Sequence, residues 1–273
     1  MDQTATTVHY LDRPQGRIAF DVTGQGQLVI LVPGMGDLRS TYRMLAPALI
    51  AAGYQVATTD LRGHGDSDAT FTTFGDAASG ADLVALITEL AQPAILVGNS
   101  MGAGAAVCAA AHRPDLVRAL VLVGPFVRDP RTNAATRAAL RLAMSPAWIT
   151  AAWKAYLPTL YAGRRPVDFD AHRAAIVASL RRPGYAKALS MTTRISHAEA
   201  TECLDQVDTP TLVVMGEQDP DFASPADEAT WVAGRLGGSV VMVPEAGHYP
   251  QSQRPDVTAA AVLEFLSGVG ADG

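Results

Sequence analysis

Short runs of apolar residues recur along the chain, and each run is continuous rather than alternating with polar residues. The five clearest are LVILV at 28–32, AILVG at 94–98, ALVLV at 119–123, TLVVM at 211–215 and SVVMV at 239–243. Continuous runs of this length are typical of strands that are buried on both faces of a parallel sheet. Stretches with the spacing of helices separate them, at 42–52, 77–90, 103–112 and 257–266.

The alternation of strands and helices predicts the fold class. Strand–helix–strand units build a mostly parallel sheet with helices on both faces, so we expect an α/β fold. A weaker strand is predicted at 54–59. The segments 8–11 and 17–22 alternate apolar and polar residues, which favours an antiparallel hairpin at the edge of the sheet.

One long segment interrupts this alternation. Residues 126–203 contain no strand pattern, only helical patterns with breaks expected at Pro146, Pro158, Pro166 and Pro183. Because ligands of open α/β folds bind at the carboxyl ends of the strands, we interpret this insertion after the sixth strand as a helical cap over the site. The α/β core is then expected at 1–125 and 204–273.

The cap segment is also rich in positive charge. Residues 126–182 contain nine arginines and Lys154 against three aspartates. The simplest interpretation is a solvated helix face, and binding of an anionic substrate is the alternative.

Composition narrows the class of protein. The chain has 273 residues, of which 48% are hydrophobic and 18% charged, so most of it is expected to fold. It has no apolar run of 18 residues and no signal peptide pattern, and its net charge of −6 argues against nucleic acid as a partner. The two cysteines fit no disulfide framework and no metal site. We therefore expect a cytoplasmic protein that binds neither membrane nor nucleic acid.

A candidate nucleophile lies directly after the strand at 94–98. The sequence GNSMG there has the form G-x-S-x-G between a strand and a helical stretch, which is the context of a nucleophile elbow. Such a turn exposes the serine hydroxyl, here that of Ser100, beside the amide of Met101. An oxyanion hole needs a second backbone N–H, and the amide of Met35 in the loop after the first apolar run is our candidate.

A serine nucleophile needs a general base and an acid that orients the base. His248 lies in the loop after the last apolar run, at the end of the sheet where Ser100 is expected. Asp219 lies in the loop after the strand at 211–215. Asp221 and Glu217 share this loop and are its rivals, and we favour Asp219 because a proline fixes the turn directly after it.

These motifs together resemble the α/β-hydrolase superfamily, and more narrowly its small capped serine esterases. The resemblance covers nearly the whole chain outside the cap and rests on VPGMGD at 32–37, DLRGHGDS at 60–67, GNSMG at 98–102, GEQDP at 216–220 and the late Gly-His at 247–248. It implies a Ser100–Asp219–His248 triad, in the chain order of that superfamily, and a structural rather than catalytic His64. Pro33 stands where the family usually has a histidine that helps to hold the oxyanion loop.

The expected reaction is hydrolysis of a small to medium carboxylic ester through an acyl-enzyme on Ser100. It needs no metal and no organic cofactor. Hydrolysis of a C–C bond in a diketone and cofactor-free perhydrolysis are enzymatic alternatives with the same triad, and a ligand receptor with slow turnover is an alternative from another class. Ser100 argues against the relatives that use an aspartate nucleophile. A homodimer is left open as the assembly.

Overall fold

The computed structural model describes residues 7–129 and 134–271, which form one eight-stranded sheet and eleven α-helices. The strands are β1 (His9–Arg13), β2 (Gly16–Thr23), β3 (Leu28–Val32), β4 (Gln55–Thr59), β5 (Ala94–Asn99), β6 (Val117–Val123), β7 (Thr211–Gly216) and β8 (Ser239–Val243). The helices are α1 (Ala46–Ala51), α2 (Asp76–Glu89), α3 (Met101–His112), α4 (Ala134–Ala143), α5 (Ile149–Leu160), α6 (Phe169–Leu180), α7 (Tyr185–Thr192), α8 (Ala198–Leu204), α9 (Pro225–Leu236), α10 (Pro250–Gln253) and α11 (Pro255–Ala271).

The strands lie in the order β1-β2-β4-β3-β5-β6-β7-β8. β2 pairs antiparallel with β1 and with β4, and every other neighbouring pair is parallel. The predicted α/β fold class is therefore confirmed, and the predicted hairpin lies at the edge of the sheet. The strand order places the carboxyl ends of β3, β5, β6, β7 and β8 side by side.

Alternate residues of the central strands face two different helix layers. In β3, Leu28, Ile30 and Val32 pack in the cluster that includes residues of α2, α3, α8 and α9, whereas Val29 and Leu31 pack in the cluster of α1 and α11. All five side chains are fully buried. A strand covered on both faces has no polar side, which explains why these runs are continuous in the sequence.

Helices α4 to α8 lie between β6 and β7, in the expected insertion. Helices α5, α6 and α7 share a separate hydrophobic cluster that includes Trp153, Leu157, Phe169 and Leu189. By contrast, Cys203 of α8 packs in the sheet cluster. Packing thus groups α8 with the core layer, and the cap boundary at 203 stays a prediction. Residues 1–6, 130–133 and 272–273 of the predicted core and cap lie outside the described residues.

The expected helix break at Pro158 is wrong. Pro158 lies inside α5, two residues before its last residue, where a missing N–H costs only one backbone hydrogen bond of the last turn. The hydroxyl of Thr159 donates to the carbonyl of Tyr156 at 2.7 Å in this turn. The other three prolines lie between helices, as expected. None of the helices formed by residues 7–129 and 134–271 is both long and apolar enough to cross a membrane.

Candidate active site

Ser100 occupies a strained turn between β5 and α3. Its backbone has φ 56° and ψ −123°, a conformation that residues other than glycine rarely adopt. A Cβ atom at Gly98 would lie 2.3 Å from the carbonyl oxygen of Gly102, and one at Gly102 would lie 2.6 Å from that of Pro33. Both glycines are therefore required, because only they let the strand, the turn and the helix approach this closely.

Asn99 ties this turn to the loop that contains His248. Its side-chain amide donates to the carbonyl of Val123 at 3.0 Å and to the carbonyl of His248 at 3.1 Å. The amide of Ser100 also donates to Val123, at 2.9 Å. The buried side chain of Asn99 thus holds together the carboxyl ends of β5 and β6 and the loop after β8.

His248 and Asp219 form a buried pair. Nδ1 of His248 lies 2.7 Å from Oδ2 of Asp219, and each residue is 2% exposed. A Cβ atom at Gly124 would lie 3.2 Å from both of these atoms, so the glycine makes room for the pair. An ionised carboxylate only accepts hydrogen bonds, so Nδ1 must carry the proton, which leaves Nε2 to act as a base when the imidazole is neutral.

The structure distinguishes the three acids of the loop after β7. Asp219 is the hydrogen-bond partner of the imidazole, Oδ2 of Asp221 lies farther away at 3.8 Å from Nδ1, and Glu217 is exposed. The amide of Asp221 donates to Oδ1 of Asp219 at 3.0 Å. Burial lowers the pKa of His248, but the charge and hydrogen bond of Asp219, aided by Asp221, outweigh burial and raise this pKa to about 9.

Within residues 7–129 and 134–271, Asp219, Asp221 and His248 form a group whose side chains could reach one metal ion. One potential ligand atom of each lies within 4.8 Å of the others. However, Nδ1 of His248 and Oδ2 of Asp219 lie 2.7 Å apart, which is a hydrogen-bond distance. These two potential ligand atoms are therefore already bonded to each other.

The loop after β3 lies against Ser100. It forms a turn in which the amide of Asp37 donates to the carbonyl of Gly34 at 3.3 Å, and a Cβ atom at Gly34 would lie 2.8 Å from that of Ser100. Among the hydrogen bonds of residues 7–129 and 134–271, none uses the amide of Met35 or that of Met101. Both expected oxyanion donors therefore lie in segments next to Ser100, and neither N–H group donates a hydrogen bond within the described residues.

The structure thus brings the Asp219–His248 pair and the elbow to the same end of the sheet. Within the described part of the chain, no hydrogen bond links Ser100 Oγ to His248. Hydrogen bonds of this kind are often long in enzymes without substrate and tighten in the complex. The ring of Phe126 packs edge-on against that of His248, with 5.8 Å between the ring centroids, and gives the imidazole an apolar neighbour. On its other contact, the centroid of the Phe126 ring lies 4.9 Å from that of Phe222.

Three cap residues that contact the loops of the site were missed by sequence reasoning, namely Trp153, Tyr156 and His172. Their only signal was the aromatic richness of the cap. Two of the cap arginines have partners in the core: Arg128 pairs with Glu228, and Arg182 donates to the carbonyl of Gly65.

Comparison with known proteins places the chain in a family. A family model described as "Alpha/beta hydrolase family" matches residues 29–261. The 2-(acetamidomethylene)succinate hydrolase of Mesorhizobium japonicum is 28% identical, over 94% of this chain and 96% of the relative. A pimeloyl-[acyl-carrier protein] methyl ester esterase of Neisseria meningitidis serogroup B is 31% identical, over 88% of this chain and 93% of the relative.

Solved structures agree with this assignment. A thermophilic esterase from Thermogutta terrifontis, solved with malate bound, superposes with a TM-score of 0.79 at 26% identity, over 96% of this chain and 99% of the esterase. A bromoperoxidase from Bacillus anthracis superposes with a TM-score of 0.82 over 96% and 100%, at 20% identity, a likeness that concerns the fold alone. The chain is therefore a hydrolase that belongs to the alpha/beta hydrolase family.

Proposed function

We propose that the protein is a serine hydrolase that cleaves a small to medium carboxylic ester through an acyl-enzyme on Ser100. The observation that carries the proposal is the strained backbone of Ser100 at the start of α3, at the same end of the sheet as the buried Asp219–His248 pair. Nucleophile, base and orienting acid are the three groups that acyl transfer requires.

The first half of the reaction forms the acyl-enzyme. Oγ of Ser100 attacks the ester carbonyl while Nε2 of His248 removes the hydroxyl proton. The amides of Met35 and Met101 donate to the oxyanion of the tetrahedral intermediate. His248, now an imidazolium held by Asp219, then gives its proton to the departing alcohol.

In the second half, water takes the place of the alcohol. His248 removes a proton from water as it attacks the acyl carbonyl, and the same two amides stabilise the second oxyanion. The imidazolium returns its proton to Ser100, and the carboxylic acid leaves. Every proton transfer uses Nε2 of His248, so each turnover regenerates the starting enzyme.

Two observations support an ester as the substrate. The ring of Phe126 packs edge-on against the imidazole and also contacts the ring of Phe222, which provides apolar surface beside the base that suits an uncharged acyl chain. A relative of 31% identity is named a methyl ester esterase, which is an activity of this reaction class.

Hydrolysis of p-nitrophenyl esters from acetate to decanoate tests the proposal. Wild type should turn over many times, with a chain-length optimum that measures the acyl pocket, and Ser100→Ala should reduce the rate to background. Ser267→Ala, on the exposed side of α11, is the matched control and should leave the rate unchanged. A folded wild type without activity on any ester would overturn the proposal, and a single slow turnover would indicate a receptor.

A further inference from the structure

One helix of the cap contacts all three loops that build the site. Trp153, Tyr156 and Leu160 of α5 each make a hydrogen bond to a different loop of the core. Positions separated by three and by four residues lie on the same face of a helix. The side chains of Trp153 and Tyr156 lie on this face, and the backbone carbonyl of Leu160 makes the third contact at the helix end. In this way α5 contacts the oxyanion loop (33–37), the acid loop (217–221) and the histidine loop (244–249).

Trp153 holds the oxyanion loop. Its indole N–H donates to the carbonyl of Gly36 at 2.9 Å, and a Cβ atom at Gly36 would lie 2.3 Å from the indole ring. His172 of the neighbouring helix α6 reaches the next residue, with Nε2 lying 2.8 Å from Oδ1 of the buried Asp37. The turn that presents the Met35 amide is thus fixed by two cap side chains.

Tyr156 holds the acid loop. Its hydroxyl donates to Oδ1 of Asp221, the second carboxylate beside His248. Burial and Asp221 raise the pKa of Tyr156, so the hydroxyl remains a donor. Because the amide of Asp221 in turn donates to Asp219, the tyrosine fixes the position of both carboxylates relative to the imidazole.

The end of α5 holds the histidine loop. The carbonyl of Leu160 accepts a hydrogen bond from the amide of His248 at 2.8 Å. Directly after the helix, Gly163 forms an antiparallel bridge with Ala246. A Cβ atom at Gly163 would lie 2.5 Å from the backbone of Glu245, so the two segments are in close contact.

We infer that α5 is a fixed part of the catalytic scaffold, and that Trp153 and Tyr156 are positioning residues that set the oxyanion loop and the acid loop together. The inference rests on the proposed function. It differs from the usual expectation for a cap, which is that the cap covers the substrate and governs its binding. A residue that only shapes the binding cavity changes KM, whereas a residue that positions the reacting groups changes kcat.

The test compares two conservative variants with two matched controls. Tyr156→Phe and Trp153→Phe each remove one hydrogen bond from α5 to the site. Tyr185→Phe is the control for the tyrosine. It removes a hydrogen bond of the same kind between the cap and the core, which the hydroxyl of Tyr185 in α7 donates to the carbonyl of Ser67 at 2.9 Å. Trp148→Phe makes the same indole change at a position that is 63% exposed.

Two measurements read out the positioning. The first is the rate at which a fluorophosphonate probe phosphonylates Ser100 Oγ and releases fluoride. The second is kcat and KM for a p-nitrophenyl ester, with the melting temperature recorded for each variant. Tyr156→Phe and Trp153→Phe should lower the labelling rate and kcat by about 10-fold to 100-fold, with KM changed less than 3-fold, because small displacements of reacting groups have effects of about this size.

The controls should keep wild-type labelling and kcat. Labelling of both site variants at the wild-type rate would overturn the inference, and so would a loss confined to KM or a loss equal to that of the controls. If Trp153→Phe fails to fold, Tyr156→Phe decides alone. Failure of the probe to label wild type at Ser100 would instead overturn the proposed function itself, so the two failures are distinguishable.

Discussion

The substitution Asp219→Asn tests how the two carboxylates share the imidazole. In serine proteases with one such aspartate, the same change lowers kcat by about 10⁴. Here Asp221 remains, 3.8 Å from Nδ1 of His248, where Asp219 lies at 2.7 Å. Coulomb attraction varies as the inverse of distance, and the ratio of these distances is about 0.7. Asp221 therefore retains part of the attraction for an imidazolium, although its effect on the pKa of His248 ranks behind that of Asp219.

We therefore expect Asp219→Asn to lower kcat by only about 10² to 10³, less than in a site with a single aspartate. Asp221→Asn alone should have a small effect, because it leaves the 2.7 Å hydrogen bond intact. The double variant should lose about 10⁴, more than the product of the single losses. Such a cycle measures the coupling between the two carboxylates.

The assay is steady-state hydrolysis of a p-nitrophenyl ester across pH by the four proteins of the cycle. In Asp219→Asn the pKa of His248 should stay above its ordinary value of 6.5, because Asp221 and the more distant Asp37 still favour the imidazolium. A loss of 10⁴ or more for Asp219→Asn alone, with effects that simply multiply in the double variant, would show that Asp221 does not substitute for Asp219.

Three further predictions concern pH and packing. Burial lowers the pKa of His248, but the two neighbouring carboxylates raise it to about 9, so kcat/KM for a neutral ester should rise with pH and level off only above about 9; an inflection near 6.5 would contradict this. Arg62→Met removes a bidentate, buried ion pair to Asp82, which keeps Arg13 as a partner at 2.9 Å, and should lower the free energy of unfolding in urea by about 1.5–3 kcal/mol, whereas an unchanged midpoint would refute the role of the pair. Gly98→Ala should lower the free energy of unfolding by about 1–3 kcal/mol and lower kcat, because its Cβ would lie 2.3 Å from the Gly102 carbonyl oxygen. Wild-type activity at wild-type stability would disprove the steric argument.

The fold was predictable because each central strand is buried on both faces. In β3 the residues Leu28 to Val32 alternate between two clusters, so every position had to be apolar, and the run stands out in the sequence. The elbow was predictable for a local reason, since the turn at Ser100 needs glycines on both sides. Such local requirements leave a pattern that can be recognised without any tertiary information.

The cap was less predictable because its contacts are decided by tertiary packing. His172 lies in the cap, 135 residues from Asp37 along the chain, yet its Nε2 lies 2.8 Å from Oδ1 of this residue of the oxyanion loop. The choice of Asp219 over Asp221 rested on a proline, whereas the distances show that both carboxylates approach the same nitrogen. Neither relationship has a fixed spacing along the chain, so neither leaves a sequence signal.

The central claim is that Ser100 forms a covalent acyl-enzyme, and trapping this species tests it most directly. Wild type would be mixed with p-nitrophenyl butyrate, quenched in acid within milliseconds to seconds, digested and analysed by mass spectrometry. The account predicts a butyryl group on the peptide that contains Ser100, formed in a burst and absent from Ser100→Ala. Undiminished turnover by Ser100→Ala, or an acyl group on a different residue, would contradict it.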